Sequence, residues 1–375
     1  MAETGHQRRV VFVVGSGRSG TSTMAVALRT LGLHVPQPEV PADDTNPKGF
    51  GEPQWAVDLH TELLRRANVQ VSDARPSAWF DAGRLNTDDE VRERLATWLE
   101  HQFGQVTPLK GQSRAHGQEL VVKDPRMAWF LGLWRSAAQR AQAVPAYVTM
   151  LRPVTEVVGS KQRYYAGRTG PTHADEVART AAWVNMMLHT ERSTRDQQRA
   201  FVRYADLLSD WTVPIHDLGR RFELATLRDA TTNDVRAVHS FIDPGLRRVQ
   251  LSWDDVDVPP ALRVIAEETW EALDSLADEG GDSGSEAASA HATLDQLRTA
   301  YGDLYEDAEA MAQSTALAQR RAGRAEGRAE GRAHQAPGSS GSSGSSVADR
   351  VPHGVRAMVP PGVRQGLRRA LGRQR

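Results

Sequence analysis

The run Val10–Val14 passes directly into Gly15-Ser16-Gly17-Arg18-Ser19-Gly20-Thr21-Ser22, and the residues that follow set Met24, Leu28 and Leu31 on one helical face. A strand, a glycine-rich turn and a helix start in that order leave few folds open. They commit the chain to a βα unit whose helix N-terminus lies beside the carboxyl end of the strand. Glycines let backbone curl closely round a phosphate, and the N–H groups of a first helical turn, with the helix dipole, favour an anion there. Ser19, Thr21, Ser22 and Thr23 add hydroxyl donors.

The same alternation recurs along the chain. Further strands are predicted at Leu120–Lys123, Ala146–Leu151 and Ala200–Tyr204. Helices are predicted near Thr21–Leu31, Gln54–Arg66, Glu90–Phe103, Trp129–Gln139, Thr155–Ala166, Ala174–Ser193 and Pro260–Leu276. Short β-branched runs each followed by a helical apolar pattern build a parallel sheet. The expected fold is α/β, a P-loop NTPase-like three-layer arrangement with helices on both faces of a central parallel sheet.

At 375 residues and 39% apolar, the chain can bury one large core, expected at 8–277. Composition then changes. Between Leu276 and Ala310 nine acidic residues face one arginine, whereas from Thr315 onward twelve arginines face three acids. Residues 278–335 are therefore expected as a charged extension, helical or disordered, and 336–375 as a Gly/Ser linker and basic C-terminal tail, largely disordered. The segment Val351–Arg375 leaves two readings open: a solvated tail, or an arginine-rich helix in weak contact with an anionic membrane or an acidic partner.

A net charge of −1 gives no global field to attract nucleic acid. The absence of cysteine removes disulfides, thiolate metal sites and a cysteine nucleophile. The apolar stretch Val10–Val14 is too short for a signal-peptide core, and a cytoplasmic location is expected.

The glycine loop has Thr21 where a Walker A motif has its lysine, and carries its cation three residues earlier as Arg18. A guanidinium there suits bidentate contact with phosphosulfate oxygens. Gly15–Thr23 resembles the 5′-phosphosulfate loop of sulfotransferases that use 3′-phosphoadenosine-5′-phosphosulfate (PAPS), in the version seen in tyrosylprotein and many bacterial carbohydrate sulfotransferases. The resemblance spans roughly residues 8–255. It implies sulfuryl transfer from PAPS to a hydroxyl or amine acceptor, with Gly15, Ser16, Gly17, Arg18, Ser19, Gly20, Thr21 and Ser22 holding the 5′-phosphosulfate and no metal required. The bacterial character of the motifs points to a carbohydrate or glycoconjugate acceptor.

Ala146–Leu151 ends in Arg152-Pro153, and Ser160 follows two helical turns later. A strand-end guanidinium and a helix hydroxyl at this spacing can grip one phosphate at the carboxyl edge of the sheet. In the resembling family such a pair holds the 3′-phosphate of PAPS. Arg247 or Arg248, in Phe241-Ile242-Asp243-Pro244-Gly245-Leu246-Arg247-Arg248, is a second candidate for that phosphate or a solvated turn residue.

Asn46-Pro47-Lys48-Gly49-Phe50-Gly51-Glu52 resembles a bacterial sulfotransferase stretch, Asn-Pro-Lys-Gly-Tyr/Phe-Trp-Glu, with Gly51 in place of the tryptophan. That resemblance implies Glu52 as general base; His60 is the rival, and Lys48 is a candidate contact for an anionic acceptor. Leu120–Val122 leads into Lys123-Asp124-Pro125-Arg126, where Lys123, at a strand end, is placed to stabilise the bridging oxygen and Asp124 to orient Lys123 or Arg126. An internal ion network shaping the turn is the alternative.

Two other function classes stay open at this point: a small-molecule P-loop kinase, with Asp124 pressed into a magnesium role, and a non-catalytic nucleotide-binding protein whose tail does the work. Trp55, Trp79, Trp98, Trp129 and Trp134 either line a sugar or aromatic site or belong to the core.

Overall fold

The computed structural model describes residues 7–44, 46–106, 118–165, 172–243, 245, 247, 249–278 and 282–335, with 164, 165 and 326–335 described by their backbone alone. Two units divide the chain, Met1–Tyr305 and Glu306–Arg375.

Four strands, β1 (Arg8–Val14), β2 (Glu119–Lys123), β3 (Ala143–Leu151) and β4 (Gln198–Arg203), form one parallel sheet in the order β2-β1-β3-β4. β1 is central and fully two-faced. Val10, Phe12 and Val14 enter one apolar cluster, and Val11 and Val13 enter another on the opposite face. This is the period-2 alternation of a strand covered on both sides.

Helices α1 (Thr21–Thr30), α2 (Gln54–Ala67), α3 (Ala78–Gly83), α4 (Asp89–Gln105), α5 (Leu131–Arg140), α6 (Val154–Tyr165) and α7 (His173–Thr194) fill the sequence as far as β4. Beyond β4 come α8 (Tyr204–Ser209), α9 (Thr212–Arg221), α10 (Ala225–Arg228), α11 (Thr232–Phe241), α12 (Pro260–Ser275) and α13 (Gly284–Gln335). Phe12 joins Leu59, Leu95, Leu99 and Trp134 on the face of α2, α4 and α5, with its ring 5.4 Å from that of Trp134 in an edge arrangement. Met24 and Leu28 of α1 pack with Leu207, Ile215 and Leu218 on the other face. Three layers result.

The predicted strands are all present. Ala200–Tyr204 is shifted to Gln198–Arg203, because Tyr204 opens α8. The predicted helix Trp129–Gln139 begins at Leu131; the Asp124 carboxylate accepts from the Arg126 backbone N–H and Pro125 follows, so Pro125–Phe130 winds as a 3₁₀ turn first. The run from Tyr204 to Phe241, for which the sequence predicts no helix, forms α8 to α11.

Packing in the first unit continues past the change of composition at 277. Ala287, Ala290, Leu294, Leu297 and Tyr301 are buried against Val154, Trp183 and Leu273. Their spacing of three and four residues is a helical seam. The acids of this region pair with arginines near the ends of α7 and β4: Asp282 with Arg199, Asp295 with Arg195, and Asp274 and Asp278 with Arg203. In the second unit, residues 306–325 are helical and exposed. The Gly/Ser stretch and basic tail, 336–375, lie outside the described residues.

Among the described residues no helix is long and apolar enough to cross a membrane, and no three histidine or acidic side chains gather to hold a metal ion.

Candidate active site

The strand order reverses between β1 and β3, one neighbour leading to β2 and the other to β4. Ligands of open α/β sheets bind at the carboxyl edge beside such a reversal. There the structure opens a cleft of about 1000 Å³, lined by the β1–α1 loop, the ends of β2 and β3, and residues of α6 and α7. Eight basic side chains and two acids, Glu52 and Asp175, line it. A chain of net charge −1 thus carries a strongly positive cleft, and the candidate ligand is an anion.

Gly20 caps α1 at φ 93, with no side chain on the cap and no acid in the first turn, which leaves that helix start to an anion. A Cβ at Gly20 would come within 2.2 Å of the Tyr204 ring, so only glycine fits here. Arg18 holds a left-handed backbone at φ 77, a conformation that costs a non-glycine residue about 1–2 kcal/mol. The loop is closed by Ser19, whose hydroxyl donates to Ser16 O at 2.6 Å.

The loop and the end of β3 meet. Arg18 Nε donates to Ser160 Oγ at 3.2 Å, and Arg152 Nη1 donates to Arg18 O at 3.0 Å. Arg152 also donates to Glu156 Oε2 at 2.9 Å and to Val249 O at 3.2 Å, and lies over the Tyr204 ring at 5.2 Å. Glu156 receives Arg247 as well, at 2.5 Å, so two guanidiniums converge on one buried carboxylate. That carboxylate orients them and is a part of the site that the sequence reading did not name. Arg248 lies outside the described residues.

On the other side of the loop, Lys123 is 2% exposed and donates to Ser22 Oγ at 3.0 Å and to Glu52 Oε1 at 2.5 Å. Arg126 flanks the same carboxylate at 3.7 Å. Glu52 is buried, and Gly51 before it sits at φ 64 against α1, where a Cβ would meet that of Ala25 at 2.9 Å. The Ala25 and Val26 side chains of α1 therefore occupy the room a larger residue would need, and the departure from the resembling stretch has a local cause.

His60 has a different place. Its Nδ1 lies 2.7 Å from Asp124 Oδ2, and its Nε2 lies 2.7 Å from Trp134 Nε1. An indole N–H can only donate, so Nε2 accepts and the ring proton sits on Nδ1, facing Asp124. Both ring nitrogens are occupied, and the side chain has no exposure. Burial pushes the Asp124 carboxyl upward, but His60, Arg126 and the Arg126 backbone N–H outweigh it and hold the group below its ordinary range. Asp124 thus orients Arg126, as one sequence reading had it.

Lys48 donates to Phe241 O at 2.6 Å and lies over the Phe241 ring. Trp55 stacks on Trp98, Trp98 meets Trp134 edge-on, and Trp129 stacks on His189 in the core. Trp79 is half exposed beside Phe80, in a separate groove. Among the residues lining the main cleft there is no tryptophan. Lys161 and Arg179, which line it, were missed; each sits on a helix whose inward face only the packed structure defines.

Among solved structures, the chain is similar to the sulfotransferase domain of the Synechococcus PCC 7002 olefin synthase, at 17% identity over 72% of this chain and 96% of that one, TM-score 0.40. It is similar also to sulfotransferase STF1 from Mycobacterium tuberculosis H37Rv (16%, 71% and 77%, TM-score 0.37) and to the sulfotransferase domain of the curacin biosynthetic pathway (14%, 70% and 97%, TM-score 0.36). No curated protein matches it in sequence. The model of the Sulfotransferase family matches residues 10–229, from β1 and its loop through the ends of β2, β3 and β4, and on that span this chain belongs to the sulfotransferase family.

Proposed function

We propose that this enzyme transfers a sulfuryl group from PAPS to a hydroxyl or amine on a carbohydrate or glycoconjugate, by in-line displacement. The observation that carries the donor assignment is the joint between two anion grips, Arg152 on the Arg18 carbonyl and Arg18 on Ser160, which suits a ligand with two separated phosphates. PAPS supplies the activated sulfuryl group and, through its 3′-phosphate, a handle that ATP lacks. The donor set around it fits: guanidiniums, an ammonium, hydroxyls and an uncapped helix start, all of them hydrogen-bond donors.

Residues Gly15 to Ser22 hold the 5′ end, with Arg18 neutralising charge that grows on the leaving phosphate. Arg152 and Ser160 take the 3′-phosphate, and Arg247 reinforces them through Glu156. Glu52 accepts the acceptor's proton as the acceptor oxygen or nitrogen bonds to sulfur. The sulfur–oxygen bond to the phosphate breaks, and its electron pair leaves with that phosphate. Lys123, beside both Glu52 and Ser22, stands between base and loop and stabilises the departing oxygen. The catalytic work is assigned to residues 8–277, with 278–305 belonging to the same compact unit and only the residues after it forming an extension.

Calorimetry tests the donor assignment with the desulfated product, 3′-phosphoadenosine-5′-phosphate (PAP), against ADP and ATP, without magnesium. PAP is expected to bind far more tightly than ADP, and Arg152→Ala to erase the difference. Preference for ATP with magnesium would sink the assignment in favour of a kinase.

A further inference from the structure

The donor residues account for part of the cleft and leave one wall unexplained. Lys161, next to Ser160 on α6, is 7% exposed, yet among the described residues no carboxylate pairs with it. Its ammonium donates to Ser72 Oγ at 3.2 Å and approaches Ser16 Oγ at 3.5 Å. Burying an ammonium without a counter-ion is costly, and burial, with Arg179 nearby, pushes its pKa down to about 8.

Arg179, on α7, brings a second cation to the same wall. Its Nη1 is shut off from solvent and makes no hydrogen bond, and its guanidinium reaches Asp175 only at 4.0 Å. Arg163 adds a third cation at the rim. A wall with a buried ammonium and an unsatisfied guanidinium atom, and only Asp175 to set against them, lacks a negative partner.

Ser72 belongs to the segment after α2, which carries none of the donor residues. That segment is fixed rather than loose. Trp129 Nε1 donates to Val71 O at 3.1 Å, and Asn185 Nδ2 donates to Asp73 O and Arg75 O at 2.9 and 2.8 Å. A rigid wall aims its cations without paying an ordering cost at binding.

We infer that the acceptor is itself an anion, its carboxylate, sulfate or phosphate ester held by Lys161 and Arg179 while its hydroxyl meets the sulfuryl group. The inference rests on the proposed sulfuryl transfer, which makes the second ligand of the cleft an acceptor.

The test is calorimetry on the full chain saturated with PAP. Four probes share one scaffold: p-nitrophenyl β-D-glucoside, its 6-sulfate, its 6-phosphate, and the corresponding glucuronide. An anionic probe is expected to bind about tenfold or more tighter than the glucoside, the strength of a charge-assisted contact. Lys161→Met and Arg179→Met are each expected to remove that gap with PAP affinity intact, and the ranking of the three anions identifies the group. The two variants lie on different helices, and thermal melts identify any that fails to fold. Equal or absent binding of all four probes overturns the inference, and so does a gap that survives in a folded variant. Loss of PAP affinity in a folded variant would also overturn it, by moving the cation to the donor side. Failure of PAP to bind the unaltered enzyme is a separate result, which removes the sulfotransferase mechanism and the acceptor inference together.

Discussion

The ammonium of Lys123 lies 2.5 Å from one oxygen of Glu52 and 3.0 Å from the hydroxyl of Ser22, so a single cation ties the proposed base to the phosphate loop. Glu52→Gln keeps an acceptor for Lys123 and removes the base. Turnover is expected to fall about 10²- to 10⁴-fold with PAP affinity little changed. Retained turnover, measured with any acceptor that the unaltered enzyme sulfates, would exclude Glu52 as the base.

Gly20→Ala forces a methyl into the Tyr204 ring at a left-handed backbone position. A stability loss of about 1–3 kcal/mol is expected in denaturant unfolding, together with weakened PAP binding. Gly17 is the contrasting site, since a Cβ there meets nothing within 4 Å, and Gly17→Ala is expected to be far milder.

His60→Leu, which has neither donor nor acceptor, breaks the chain from Trp134 through His60 to Asp124. The expected cost is about 2–5 kcal/mol, because the buried indole N–H loses its acceptor and the Asp124 carboxylate loses one of its donors while keeping Arg126. In the enzyme that still folds, the acid limb of the kcat/KM profile should stay where it was. A shifted limb would give His60 a chemical role that its geometry denies.

Lys161 offers a pH test. Its pKa is about 8 when folded and near 10.5 when unfolded, so the unfolded chain binds the extra proton between those values. The burden of a buried charge is fully present below pH 8 and is relieved as pH rises, adding up to about 1.4 kcal/mol of stability per pH unit in that window. Comparing unfolding of the unaltered enzyme and Lys161→Met from pH 7.5 to 10 isolates the effect, which the variant should lack.

Leu294→Ala probes the helix that follows the change of composition. Leu294 has no exposure and packs in the cluster with Trp183 and Leu273. A loss of about 2–5 kcal/mol is expected from thermal or denaturant melts. An appended, unpacked segment would tolerate the change within about 0.5 kcal/mol.

The legibility of these features in sequence follows from how local their signals are. The unbroken apolar run Val10–Val14 announces a strand covered on both faces, and helical spacing within Gln54–Arg66 locates α2 to a residue. Arg18, Lys123 and Arg152 stand at strand ends, where short motifs report position directly. Lys161 and Arg179 carry no such signal, since a lone cation on a helix reads as solvated until the neighbouring helix is placed. The seam from Ala287 to Tyr301 is present in the sequence but masked by the dense acids around it, which serve as partners for Arg195, Arg199 and Arg203. Helices α8 to α11 span only four to ten residues each, so each offers at most about three turns of pattern before a loop interrupts it.

The Tyr204 ring touches both halves of the proposed donor site, abutting Gly20 on one side and carrying the Arg152 guanidinium on its face. The loop and the strand end are therefore not separate inventions that substitution can revise one at a time. A larger residue at position 20 demands a smaller one at 204, and a smaller one at 204 deprives Arg152 of its platform. Through one aromatic ring, the two positions constrain a third, and any lineage of this chain can cross that epistatic ridge only by several coordinated changes.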